Sequence, residues 1–461
     1  MESPQLKRVL GLTDLVLFNV VVVFSVRGMT TAAKMGPVSI LLWLLAVLAF
    51  FVPLGLTITE LSTRDPGEGG FYRWSRDAFG GAHGFLGSWF YWVSNLTYLP
   101  SLLIFLASST AFVIGRPQLG ENATWVVSLS LGVLWFTAWL NVRGLEAGKL
   151  VTNGGAAASW AAALLLIAAG AIALVRFGSA TPLSGQVLGA SVGGKQALAY
   201  FGTLSFALVG LELAPIMGGE IREPARNIPR AILISGVTIA VLYIVGTVAV
   251  MVALPPSDVS PISGALGAAQ AVANRIGWGT MGAVVAALIT FSVVGGIAAW
   301  LGGVARLPLA IGLDSYLPPA MSRLHPRHGT PAFAIYFQTV LTSVFIVASQ
   351  MGSSVREAYL VLLDATIIMN FVPFLYIFLA LPKLRPQADE PGVVRVPGGR
   401  GTLWLVALSG FAITVVTLAS AVIPPPDVGN ALLFEGKLWG GLSVFAVVGY
   451  LIYHANRSPS S

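Results

Sequence analysis

The sequence predicts an all-α integral membrane protein with twelve transmembrane helices, grouped as five, five and two. Three observations carry that prediction. Of 461 residues, 56% are hydrophobic and only 10% charged, with a mean hydropathy of +0.82, a balance rare in a soluble globular domain of this size. Apolar runs of the roughly 20 residues that a spanning helix needs recur from Leu12 to Tyr453. Only short polar breaks separate them, so residues 1–461 read as one polytopic domain.

The opening MESPQLKRVLGLTD has two basic residues but no short apolar stretch with a small-residue cleavage site, so the first run is expected to stay as span one. The first group, 12–175, holds spans 12–34, 38–59, 83–114, 124–142 and 150–175. The second, 196–380, holds 196–217, 228–254, 277–303, 331–349 and 355–380, and 402–453 adds 402–423 and 438–453. With the N-terminus inside, eighteen of the 26 Lys and Arg fall in inner segments and seven in outer ones, Arg27 being embedded. The positive-inside rule then places both termini in the cytoplasm of a multi-pass protein of the cell (inner) membrane. The net charge of +7 is read as this orientation, not as a nucleic-acid surface.

Two spans are interrupted at matching places, span one at Phe24-Ser25-Val26-Arg27-Gly28 and span six between Phe206 and Pro215, through Ala207, Val209, Gly210 and Glu212. They open the two five-helix groups. Broken, charge-bearing helices in corresponding positions point to a transporter site near the midplane, because unwound backbone supplies N–H and C=O groups to a substrate. The plainer reading is that these glycines permit close helix packing.

Arg27 lies about 15 residues into span one, roughly 20 Å along a helix, where a charge costs about 2.5–3.5 kcal/mol on insertion scales. It is placed to hold a substrate carboxylate in a bidentate fork, to pair with Glu212, or to snorkel. Glu212 has three open uses: accepting an amine, exchanging a proton, or holding the unwound segment. Asp364, the third embedded charge, is a candidate for a cation or proton, or for a hydrogen bond to a neighbouring span. Asp14 and Glu60 read as span-end residues.

Cysteine is absent and the four histidines fall in loops or at span ends, so no metal site, cofactor or midplane proton relay is expected. No G-x-x-x-x-G-K-[ST] loop occurs, which points away from an ATP-driven pump. Lacking a convergent acid, base or metal set, the chain does not read as an enzyme.

The loops carry a resemblance. Glu60-Leu61, PGEGGFYRW (66–74) and GFLGSWFYW (84–92) follow span two; EIREPARNIPRA (220–231) follows span six, with Pro229 expected in the first turn of span seven; ARLPLAIGLDSYLPPAM (305–321) follows span eight; VVRVPGG precedes span eleven. In this order they resemble the amino acid, polyamine and organocation (APC) superfamily. The resemblance implies a five-plus-five inverted repeat of the LeuT type plus two helices, alternating access, and a site between spans one, three, six and eight. Where that family usually reads Gly-Ser-Gly-Ile-Phe, this chain has Phe-Ser-Val-Arg-Gly, so Arg27 stands in for part of a backbone cradle. YWVSNLTYLPSLLIF (91–105), with Asn95, is similar to the glutamate/GABA antiporter branch and favours exchange of an anionic or neutral amino acid. Some relatives place a lysine in the middle of span five as a fixed charge; ASWAAALLL (158–166) has none, so proton or sodium coupling stays open, with Thr290 and Ser292 as cation-ligand candidates.

The expected partners are an amino acid or related amine, a coupling proton or sodium ion, and membrane lipids. A major-facilitator fold would need a long loop between spans six and seven and a basic Asp-Arg-Gly loop, and neither is present. The alternatives left are a polyamine or other amine transporter and a non-transporting amino-acid sensor.

Overall fold

Lipid offers the backbone no hydrogen-bond partner, so a spanning segment satisfies its own N–H and C=O groups by forming helix. The computed structural model describes residues 6–183, 194–259, 264–351, 355–385, 392–422 and 431–456. Among these, eleven helices are long and apolar enough to cross a membrane, and a shorter apolar helix, Leu198–Ala207, accompanies them. It ends Gly194–Ala207, the first half of the broken sixth span. Large apolar side chains stand exposed on the outward faces, among them Leu48, Val175, Leu405 and Leu432, as a multi-pass membrane protein requires.

Several boundaries differ from the sequence reading for local reasons. Span one is two half-helices, Leu12–Val23 and Val26–Lys34, and only Phe24 and Ser25 are extended. Val26, Arg27 and Gly28 therefore belong to the first turn of the second half. Span six unwinds over a shorter stretch than the Phe206–Pro215 break read from the sequence: it is helical through Ala207 and regains one helical turn at Leu213–Ile216. Span seven begins at Pro224, so Pro224 takes the first turn and Pro229 lies inside Pro224–Ala253. An additional helix, Gly264–Ile276, precedes span eight.

Small residues let the spans approach closely. A Cβ on Gly155 of span five would sit 2.8 Å from the Cα of Gly295 on span eight, and one on Gly170 would sit 2.6 Å from the Ala249 carbonyl oxygen on span seven. Span five is thus clamped against both neighbours of the broken pair. Gly295→Leu should force spans five and eight apart and destabilise the protein by about 1–3 kcal/mol. The readout is a lower thermal unfolding temperature in detergent, whereas Gly440→Leu, with nothing within 4 Å, should leave it unchanged.

Candidate functional site

The two breaks meet. Ser25 caps the second half of span one, its Oγ accepting the Gly28 N–H at 3.2 Å. Gly210 has φ +134, and a Cβ there would lie 2.5 Å from Val22 Cγ1 and 2.9 Å from Val23 Cγ2, so both the backbone and the close approach need glycine. The buried Glu212 carboxylate accepts the Gly210 N–H at 3.0 Å and the Tyr91 hydroxyl at 2.6 Å. Of the three uses open to it, holding the unwound segment is the one its contacts display. The Tyr243 hydroxyl accepts the Ser25 N–H at 3.2 Å and lies 2.7 Å from the Val23 carbonyl and 3.0 Å from that of Ala207, donating its proton to one of them. The Trp300 indole N–H donates to the Val22 carbonyl at 3.3 Å.

A cavity of about 310 Å³ opens beside this junction. Phe24, Ser25, Val26, Arg27 and Gly28 line it from span one, and Phe206, Ala207 and Val209 from span six. Ser292 and Asp364 also face it, and it extends along span one to the exposed Lys34. The Arg27 guanidinium carbon lies 5.5 Å from the centroid of the Phe105 ring. Tyr98 stands edge-on to Phe206 and to Trp300, at 5.9 and 5.0 Å between centroids.

Four expected site residues are not among those lining this cavity. Asn95 is fully buried and donates to the Tyr91 carbonyl at 3.1 Å. Thr290 donates to the Ala286 carbonyl at 2.8 Å. Gly210 and Glu212 lie behind the wall they shape. Conversely, Tyr98, Phe105, Ser159, Tyr243 and Trp300 line it without having been singled out. Ser159 occupies the stretch of span five noted for lacking lysine, and its buried hydroxyl has no hydrogen-bond partner among the described residues.

At the end of the bundle that carries the N-terminus, the chain is closed by paired charge and backbone. Arg306, fully buried, meets Glu220 through Nε at 2.6 Å and Nη2 at 3.0 Å, and donates to the Gly302 carbonyl. The Glu220 carbonyl accepts the Val9 and Leu10 N–H groups, and the Gly69 N–H reaches the Ile216 carbonyl. Glu68 accepts the Gly219 N–H at 2.8 Å. Glu60 is not a solvated span-end residue: it is fully buried, paired at 3.3 Å with both Arg64 and Arg385, and accepts the Val396 N–H at 2.7 Å. Asp14 does sit in a helix's first turn, accepting the Gly11 N–H at 3.1 Å, with Lys149 at 3.8 Å.

The sequence profile of the amino acid permease family matches residues 10–439. The chain belongs to this family. An uncharacterized transporter of Legionella pneumophila is 30% identical over 456 residues, 96% of each chain. A probable agmatine/putrescine antiporter of Lactococcus lactis is 24% identical over 97% of this chain and 95% of the relative, and a glutamate/gamma-aminobutyrate antiporter of the same organism is 21% identical over 89% and 83%. The family assignment agrees with the APC resemblance carried by the loops.

In this permease the closed end contains a titratable group outside the spans. Burial, and then the Glu220 carboxylate, push the Glu68 carboxyl up from 4.5 to about 8, against the opposing pull of Arg306 and the Gly219 N–H. A carboxyl whose folded value is raised gives stability that is complete below the unfolded value and lost as pH rises through the folded one. Thermal stability should therefore fall between about pH 4.5 and 8, and Glu68→Gln should flatten that fall in a pH series of melting curves.

Proposed function

We propose that this permease is a secondary active transporter that moves amino acids and related amines across the cell membrane by alternating access. Exchange is the favoured mode, and proton or sodium coupling through Ser292 or Asp364 is the alternative route. The observation that carries this reading is the meeting of two broken spans on one cavity that extends to the exposed Lys34. A half-helix start attracts a carboxylate and half-helix ends attract a cation. The start of Val26–Lys34 and the ends of Leu12–Val23 and Gly194–Ala207 all reach this cavity. On this reading the termini are cytoplasmic, the cavity faces outward, lipid contacts the exposed apolar faces, and the chain is not an enzyme. The two antiporter relatives support exchange.

Uptake of a labelled amino-acid and amine panel, glutamate included, into proteoliposomes tests the proposal. Uptake only into vesicles preloaded with unlabelled amino acids and amines is expected. Uptake into empty vesicles under an imposed ion gradient would show coupled import instead, and no uptake by folded protein would favour a sensor. A second prediction concerns Arg27 as the carboxylate ligand. Arg27→Ala should weaken amino-acid binding about tenfold to a hundredfold, the worth of a charged hydrogen bond, while decarboxylated amines keep their affinity. Equal loss for both would mean that Arg27 is structural.

A further inference from the structure

We infer that Asp364 receives the side-chain cation of the substrate, so that this permease selects amino acids carrying a second, distal ammonium or guanidinium group. The inference rests on the transport reading above and names its substrate class. Asp364 faces the cavity, is half-buried, and makes no hydrogen bond or ion pair among the described residues. A carboxylate embedded at membrane depth ordinarily has a partner. Among the described residues the protein supplies none, and the group faces the cavity.

The helix that carries it is tied to span three. Two residues further along span ten the Thr366 hydroxyl lies 2.8 Å from that of Thr97 on span three, and Asn370 donates to Ser94 Oγ at 3.3 Å. The backbone that presents Asp364 to the cavity is thus packed against a neighbouring span. It is also the only acidic side chain lining the cavity among the described residues. The remaining wall suits a cation too, because Tyr98, Phe105, Phe206 and Trp300 present aromatic rings, whose faces attract ammonium and guanidinium groups.

Arg27 narrows the class. Arg27, the carboxylate ligand of the transport reading, lines the same small cavity as Asp364, so a ligand with one charge of each sign in the matching places meets both. A neutral side chain leaves Asp364 uncompensated, and an acidic one is repelled by it. A diamine without a carboxylate satisfies Asp364 but brings a like charge toward Arg27. Lysine and ornithine meet every condition. The cavity, about 310 Å³, is at the small end of ligand sites and suits a solute of this size.

The test is direct binding of labelled lysine and of labelled norleucine, its neutral analogue, to the purified full-length protein, with exchange in proteoliposomes alongside. Wild type should bind lysine at least about tenfold more tightly than norleucine, the lower bound for a charge-assisted hydrogen bond. Asp364→Asn should bring the ratio to within about threefold with norleucine affinity retained, which also reports an intact fold. Where Asp364→Asn binds neither, Asp364→Glu, which keeps the charge, should retain a clear lysine preference; a ratio near one in it overturns the inference. Equal wild-type affinities, or a preference that survives Asp364→Asn, overturn it as well. So does uptake of both ligands driven by a pH gradient that Asp364→Asn abolishes, which would assign the carboxylate to a proton. Exchange of norleucine or glutamate without lysine sinks this inference and leaves amino-acid transport standing. No exchange of any amino acid or amine sinks both.

Discussion

The cavity depends on one phenolic hydroxyl. Tyr243 reaches the last residue of one half-helix, the cap of the next and the end of a third: Val23, Ser25 and Ala207. Unwinding a helix at membrane depth leaves backbone groups that cost free energy unless something replaces their lost partners. In this permease a side chain from an intact span does so. Its ring is in turn fixed, stacked on Trp43 at 4.5 Å, whose indole N–H donates to Thr247 at 3.1 Å. Gly28 completes the fit, since a Cβ there would lie 2.7 Å from the Tyr243 ring. The broken backbone is thereby ordered while one side of it stays open.

The spans and both breaks were legible because lipid imposes a length and a polarity on each crossing, and a charge or glycine inside an apolar run stands out. Arg27 and Asp364 were found that way. Tyr98, Tyr243 and Trp300 were not, because an aromatic residue in an apolar run looks the same whether it faces lipid, a neighbour or a cavity. Asn95 and Thr290 show the converse. A polar side chain on a helix can bond the carbonyl four residues back, as both do, so polarity alone does not place it at a site. Glu60 was misread because its partners Arg385 and Val396 lie more than 300 residues away in sequence, and only the folded bundle brings them together.

The arrangement of charge follows from these constraints. Glu212, the acid nearest the break, is consumed in holding Gly210 and Tyr91, and so its carboxylate is not offered to the cavity. Asp364 stands on a span that runs unbroken past the site, pinned to span three by hydroxyl and amide contacts. One acid thus shapes the site and the other faces into it, a division that composition could not reveal.

The buried Arg306–Glu220 pair would have a kinetic meaning under the proposed alternating access. Taking two ions out of water costs several kcal/mol each, so a buried pair adds little net stability compared with an apolar contact of the same size. Were this end to part in such a cycle, water would reach both groups and return much of that desolvation cost. The junction would then act as a latch, the ions being held by each other in one position and by solvent in the other, where an apolar plug would make a tighter door.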